Sequence, residues 1–119
     1  MVASIRMNWG VADDGTKMYA LHSFHNVAAL ETDHELIAAV ADHRIVVLAV
    51  MEHCGDVATT ITFNSASDAI SCDFDNVAYG GAVLPFNPQG WFKTEESEAL
   101  TATTSAGSST GVQLVYIIV

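Results

Sequence analysis

The sequence predicts an all-β domain, an antiparallel β-sandwich of the jelly-roll type with about eight short strands. Short runs alternate apolar and polar residues with a period of two, which is typical of strands that bury one face. Glycine and proline gather between these runs in the second half of the chain, where they mark turns. The length of 119 residues is that of one domain, large enough to bury a core without a metal or a disulfide.

The clearest alternation lies in the second half of the chain. In one run, Ile70, Cys72 and Phe74 share a face, so Cys72 is expected to act as a small buried hydrophobe. The last run is apolar on both parities, so both of its faces are expected to be at least partly covered. In this half of the chain four strands are predicted, at 58–63, 69–74, 100–104 and 112–119.

The run 45–51 is apolar on both faces, which predicts a strand in the middle of the sandwich or against another subunit. Segments 18–24 and 35–40 are further predicted strands. Residues 32–41 also fit a helix, because Thr-Asp-His-Glu at 32–35 reads as a capping box before an apolar run. The strand is preferred because 41–43 has the composition of a tight turn into the next strand.

The first 17 residues are predicted to form either a first strand or an arm that docks on a neighbour, and residues 18–119 the sandwich domain. Residues 1–10 lack the basic region and long apolar core of a signal peptide, so reduced thiols are expected. Whether Cys54 and Cys72 pair is left open.

Composition limits the partners. Fourteen acidic residues face four basic ones, for a net charge of −10, and the basic residues are scattered, so neither nucleic acid nor an anionic membrane is expected to bind. No apolar run approaches the ~20 residues that a membrane span needs. Half of the residues are apolar and mean hydropathy is +0.31, which favours apolar surface that is buried again in an oligomer or on a partner.

No pattern in the chain matches a catalytic or metal-binding motif. The five histidines have no metal-ligand spacing, and Asp73, Asp75 and Asn76 lack the spacing of a calcium loop, so a solvated turn is expected there. No serine lies in a nucleophile elbow, and no Lys-Ser/Thr follows Gly80-Gly81. The sequence therefore predicts no enzyme, no catalytic residue, no metal and no cofactor, although a small hydrolase with a carboxylate pair stays an alternative.

The most distinctive segment is 84–92, Leu-Pro-Phe-Asn-Pro-Gln-Gly-Trp-Phe. Its prolines restrict the backbone on both sides of Asn87, and Gly90 can adopt a positive φ. The three aromatic residues either plug the end of the sandwich or anchor an interface. The predicted interface set adds two strand residues and one N-terminal tryptophan, and consists of Trp9, Ile45, Val47, Phe86, Trp91 and Phe92.

This segment also carries a family resemblance. The Pro-Phe-Asn-Pro-x-Gly-Trp-Phe core at 85–92 is followed by Glu-Ala-Leu at 98–100, and the last two thirds of the chain resembles a family of small virion proteins of tailed bacteriophages. The parts of that pattern occur in the order Ile37-Ala38-Ala39-Val40, Arg44-Ile45-Val46-Val47-Leu48, Thr60-Ile61-Thr62-Phe63, Gly80-Gly81, 84–92, 98–100 and 111–119.

The resemblance implies a β-sandwich or jelly roll that assembles as a homotrimer and brings no catalytic residues with it. It implies a capsid decoration (cement) protein that binds the major capsid protein on the outer head surface of the virion, assembled in the host cytoplasm. In that role the strand at 45–51 supplies the trimer interface, and residues 1–14 reach the capsid. The alternative is a fibre or receptor-binding module that recognises host surface glycan.

Overall fold

The computed structural model describes residues 7–11 and 17–119. These residues form eleven strands and no helix, in two antiparallel sheets that pack face to face, which confirms the predicted all-β sandwich. The strand count exceeds the predicted eight because several strands are only two or three residues long. The strands are β1 (Met7–Val11), β2 (Lys17–Val27), β3 (His34–Ile37), β4 (Ile45–Cys54), β5 (Thr59–Ser65), β6 (Asp68–Ala69), β7 (Phe74–Asn76), β8 (Gly81–Leu84), β9 (Phe92–Lys93), β10 (Leu100–Thr104) and β11 (Thr110–Ile118).

Strands that are neighbours in a sheet come from distant parts of the chain. The first sheet has the order β1-β2-β11-β4-β8, and β9 also pairs with β4. The second sheet has the order β3-β10-β5-β6, and β7 also pairs with β5. The C-terminal strand β11 is therefore held between β2 and β4, in the centre of the first sheet, and β10 is held between β3 and β5.

The core lies between the two sheets and explains the period-two runs. Ile61 and Phe63 of β5 are fully buried, whereas Thr60 and Thr62 point away from the core. The predicted strands at 58–63, 100–104 and 112–119 are confirmed as β5, β10 and β11. The remaining core side chains come mainly from β4, β10 and β11, and include Ile45, Val47, Val50, Leu100, Ala102, Val112 and Leu114.

The first sheet also carries buried apolar residues on its opposite face. Ala20, Leu48 and Ile117 form a second small cluster there. Leu48 is an extra residue in β4, because Val115 and Tyr116 of β11 pair with Ala49 and Val47 respectively. This bulge turns Leu48 away from the main core, and it is fully buried. Both faces are thus covered at Leu48 and Ile117, as expected for 45–51 and 112–119, whereas Met51 stays 45% exposed on the second face.

Residues 32–41 contain a strand and no helix, as preferred from the sequence, although the strand covers His34–Ile37 and not 35–40. Strand β3 (His34–Ile37) pairs with β10, which supplies partners that an isolated capping box lacks. The chain then turns at Asp42, which has a φ of 63°, and the His43 amide donates to the Val40 carbonyl at 3.1 Å. This turn leads directly into β4.

The single strand predicted at 69–74 is wrong. The chain forms two short strands, β6 and β7, because the amides of Ile70 and Ser71 both donate to the carbonyl of Phe63, which interrupts the ladder. The Ser71 hydroxyl accepts a hydrogen bond from the Phe63 amide at 2.9 Å. Cys72 is consequently exposed, and not the buried hydrophobe that alternation predicted. Cys54 is buried, its thiol donates to the Val77 carbonyl at 3.1 Å, and the two cysteines are free.

In the N-terminal segment, strand β1 pairs with β2 at the edge of the first sheet. The rest of the predicted arm, residues 1–6 and 12–16, lies outside the described residues. Trp9 is part of β1, but its side chain also lies outside what the structure describes. Within the described ranges, no helix is long and apolar enough to cross a membrane.

Candidate functional site

The segment 85–91, here called the aromatic loop, runs along the edge of β4 between β8 and β9. The Asn87 amide donates to the Leu48 carbonyl, and the Trp91 amide donates to the Val47 carbonyl, each at 2.8 Å. These two bonds satisfy carbonyls of β4 at its bulge, where the pairing with β9 at Val47 ends and the pairing with β8 at Val50 has not begun. The aromatic loop is therefore fastened to the sheet by its backbone.

Asn87 organises the inside of the aromatic loop. Its Oδ1 accepts a hydrogen bond from the Gln89 amide at 3.0 Å, and its Nδ2 donates to the Gly90 carbonyl at 3.3 Å. The Gly90 amide donates back to the Asn87 carbonyl at 2.9 Å, with a φ of 84° at Gly90. Pro85 and Pro88 further restrict the backbone. The aromatic loop is thus an ordered turn and not an open loop, as its prolines and Gly90 predicted from the sequence.

The structure divides the predicted interface set into exposed and buried members. Phe86 and Trp91 are 54% and 43% exposed, and the Trp91 indole N–H donates to the Pro85 carbonyl at 2.7 Å, which fixes the ring. Phe92 is partly buried and stacks on Phe63 of the core. Ile45 and Val47 are buried inside the chain itself, so they have no side-chain surface to offer a partner. Among the members whose side chains the structure describes, Phe86 and Trp91 are therefore the exposed ones.

A second surface is the outer face of the first sheet, the side that points away from the core. Strand register places Phe24 beside Gln113, Gln113 beside Met51, and Met51 beside Val83, in one row across four strands. The three apolar members are 46%, 45% and 66% exposed, in the order Phe24, Met51, Val83. This is a continuous apolar strip on a sheet surface.

The rows on either side of this strip are also free of acidic side chains. One row contains His22, Val115 and Ala49, and the other contains Asn26, Gly111, His53 and Gly81. The rings of His22 and Phe24 lie 6.4 Å apart. Of the fourteen acidic residues, only Glu52 lies on the six strands of the first sheet, and its side chain is buried. Among the described residues, the outer face of the first sheet is therefore largely apolar and free of acidic side chains, and its basic groups are the histidines and the exposed Lys93, which lies beside Val46.

The outer face of the second sheet has the opposite character. Thr60 and Thr62 donate hydroxyl hydrogen bonds to Asp75 and Asp73, at 2.7 and 2.6 Å. Asn64 continues this polar row with a bond to Thr103 at 2.9 Å. The acidic patch expected to be a solvated turn is thus a cross-strand ladder of threonine–aspartate hydrogen bonds. This face satisfies its own polar groups and has little apolar surface to bury.

Glu52 is a buried acid between the sheets. Its side chain is 2% exposed, one oxygen accepts a hydrogen bond from the Asn76 amide group at 2.6 Å, and Oε1 has no partner among the described residues. Burial raises the pKa of this carboxyl. Hydrogen bonds from the Asn76 side chain and the Ala82 backbone oppose this rise, as does the electrostatic effect of the nearby His53. Because the carboxyl does not reach the surface, it cannot meet a substrate there.

The histidines are dispersed over the fold. His25 forms a hydrogen bond with Ser23 at 3.1 Å. The pKa of His25 is lowered mainly by burial and to a smaller extent by the electrostatic effect of the nearby His34. Over the part of the chain that the structure describes, no three His, Cys, Asp or Glu side chains lie close enough together to hold a metal ion.

The outer face of the first sheet was missed by the sequence analysis. The sequence contained one signal for this face, because the runs that form β4 and β11 are apolar at both odd and even positions. The row itself depends on the register between β2, β11, β4 and β8, and these strands are far apart in the chain. Register over such separations is set by packing, so it could not be read from the sequence.

No protein-family model, curated protein or solved structure matches the chain. The resemblance to bacteriophage virion proteins expected from residues 36–119 therefore has no support from these comparisons. The structure defines a class, a β-sandwich that presents a rigid aromatic loop and an apolar sheet face, and function must be argued from these two surfaces.

Proposed function

We propose that the chain is a structural virion protein, a homotrimeric capsid decoration (cement) protein on the outer surface of a tailed-bacteriophage head. It would bind major capsid subunits and stabilise the contacts between them. The observation that carries the proposal is the aromatic loop, which holds Phe86 and Trp91 exposed on a hydrogen-bonded backbone.

An exposed aromatic anchor on an ordered backbone suits a docking role for energetic reasons. The loop is ordered before binding by Asn87 and by its bonds to β4, so little conformational entropy remains to be lost on contact. Aromatic side chains supply much of the binding energy at protein interfaces. Phe86 and Trp91 thus offer a compact apolar contact, which fits a partner protein better than it fits a nucleic acid.

The strand order supports the jelly-roll part of the proposal. Four strands of each sheet, β2-β11-β4-β8 and β3-β10-β5-β6, combine early and late strands of the chain. This is the arrangement produced when two Greek keys wrap into a double-sheet jelly roll, an architecture that recurs in viral capsid domains.

The mechanism follows from linkage. A protein that binds the assembled shell, and not its free subunits, stabilises the shell by a free energy that grows with the logarithm of its concentration relative to its dissociation constant. A trimer presents three aromatic loops at once, so a weak contact at each loop adds up through effective concentration. The strong negative charge of the chain would limit its attachment to other polyanions.

Copy number in the purified virion tests this role. Quantitative mass spectrometry should find the chain in a fixed ratio to the major capsid subunit, at hundreds of copies per particle by family analogy. Absence from the particle, or a copy number that matches the tail fibres, would contradict a decoration role.

Binding to heads tests the aromatic loop. Purified protein carrying both Trp91→Ala and Phe86→Ala should bind decoration-free heads about 1,000-fold more weakly than the wild type, since two aromatic anchors at about 2 kcal/mol each supply about 4 kcal/mol. Tyr79→Ala is the matched control, because Tyr79 is also an exposed aromatic residue but lies outside the loop. Equal binding by the loop variant and the control would overturn the anchor assignment.

The exposed indole of Trp91 also supports the second candidate, a fibre or receptor-binding module. Half-exposed aromatic rings can stack on the apolar face of a sugar. In that case isolated host surface glycan should bind the wild type and not Trp91→Ala, and the chain should occur at the copy number of a fibre.

A further inference from the structure

We propose that copies of this chain associate through the outer face of the first sheet, with Met51 at the centre of the contact. This inference rests on the proposed function for the number of copies, which is three, and it adds the surface through which the copies meet. Three properties of this face support association there: its exposed apolar side chains, its lack of acidic side chains, and its contrast with the polar outer face of the second sheet.

An apolar row crosses this face of the sheet. Phe24, Met51 and Val83 each leave about half or more of their surface exposed, and strand register aligns them through Gln113. Strands lie ~4.8 Å apart, so the row spans about 14 Å across the sheet. Further apolar side chains, Ala49 and Val115, lie in the adjacent row. Removing an apolar strip of this kind from water lowers the free energy, so its burial favours association.

The distribution of charge favours another copy as the occupant of this face. Each copy has a net charge of −10, so two copies repel each other wherever acidic surfaces meet. The outer face of the first sheet is the sheet surface on which this repulsion is smallest, since Glu52, the sole acid on its strands, is buried. A basic partner would instead be drawn to acid-bearing surfaces, such as the Asp73 and Asp75 row.

The second sheet offers a less favourable surface for association. Its outer face is polar, and its threonine hydroxyls already donate to Asp73 and Asp75. Burying that face would remove satisfied polar groups and two carboxylates from water, at a cost. Burying the first face removes mainly apolar side chains, with Gln113 and the histidines able to hydrogen-bond across the contact.

Closed symmetry fits this surface. When one patch on each copy meets the neighbouring copies around a rotation axis, residues near the axis contact their own equivalents. Met51 lies in the middle of the row and would occupy that position. The aromatic loop is at the β8–β9 edge of the same sheet, so it stays available to a different partner.

Sedimentation velocity at micromolar concentration tests the surface. Met51→Glu places a carboxylate at the centre of the face, and the association should weaken about 100-fold or more, because unpaired like charges are then desolvated together. Val77→Glu adds the same charge in place of an exposed valine outside this face, and its association should equal that of the wild type. Val83→Glu repeats the test at a second position, and thermal melting confirms that each variant is folded.

The outcomes separate this inference from the proposed function. If folded Met51→Glu and Val83→Glu both associate like the wild type, the surface is wrong, and the decoration role is unaffected. If the wild type forms a dimer that Met51→Glu dissociates, the surface is supported and the trimer is overturned. A monomeric wild type at micromolar concentration overturns both the surface and the trimer.

Discussion

Phe92, the last aromatic residue of segment 84–92, stacks on Phe63 in the core, with ring centroids 5.3 Å apart and ring planes 23° from parallel. Phe63 also contacts Phe74 edge-on at 5.9 Å. The rings therefore join the exposed segment to β5 and β7 of the opposite sheet. Phe92 thus acts as the plug that one interpretation of the sequence expected, whereas Phe86 and Trp91 stay exposed, and their role at an interface is a proposal.

Removing the Phe92 ring should destabilise the whole domain. Phe92→Ala deletes the stacked partner of Phe63 and opens a cavity beneath the aromatic loop, and we expect a loss of about 2 kcal/mol in the free energy of unfolding. Urea denaturation measures this value. Phe86→Ala is the matched control, and its effect should stay within about 0.5 kcal/mol because the ring is mostly exposed. A similar loss in both variants would show that the two rings do not differ in role.

Substitution of Gly90 should distort the aromatic loop. A Cβ at this position would lie 2.4 Å from Cγ1 of Val46, and the φ of 84° disfavours any side chain. Gly90→Ala is expected to cost about 2 kcal/mol in urea denaturation. Gly111→Ala serves as control, since a Cβ there meets its nearest neighbour at an ordinary 3.7 Å. Equal stability of Gly90→Ala and the wild type would mean that the loop has another accessible conformation.

Much of the fold could be predicted because strands with one buried face alternate visibly. The alternation at 58–63 and 100–104 corresponds directly to β5 and β10. It failed at 69–74, where the hydrogen bonds of Ile70 and Ser71 to a single carbonyl of Phe63 break the strand. Such a break depends on a tertiary contact, which local alternation does not contain.

The site was only partly predictable for a related reason. The aromatic loop has local signals, namely two prolines, Asn87 and Gly90, so its order and its exposed aromatic residues could be foreseen. Ile45 and Val47 were placed at an interface because β4 is apolar on both faces, yet the chain buries these two residues in its own core. Which parity of a doubly apolar strand faces outward is decided by the other sheet.

The two thiols should differ in reactivity. Cys72 is exposed, and Cys54 is buried with its thiol bonded to the Val77 carbonyl. A disulfide-exchange reagent should therefore modify one thiol per native chain rapidly and the second only after unfolding. Cys72→Ser should abolish the fast phase. Two fast thiols, or none, would contradict the placement of these residues.

The buried carboxyl of Glu52 predicts a pH dependence of stability with a definite sign. Its pKa is raised from 4.5 because burial disfavours the charged form, so the folded state holds its proton at pH values where the unfolded chain has lost it. The contribution of this group is therefore fully present below about pH 4.5, and it is lost as the pH rises through the folded-state pKa.

Glu52→Gln should remove this dependence while it keeps an oxygen that can accept the Asn76 hydrogen bond. Unfolding free energies measured from pH 4 to pH 8 should show the variant gaining stability relative to the wild type as the pH rises. Glu96→Gln removes an equal charge at an exposed position, and its profile should run parallel to the wild type. If the Glu52→Gln profile also runs parallel, the carboxyl is ionised in the folded state at no cost, and the burial of Glu52 does not control its titration.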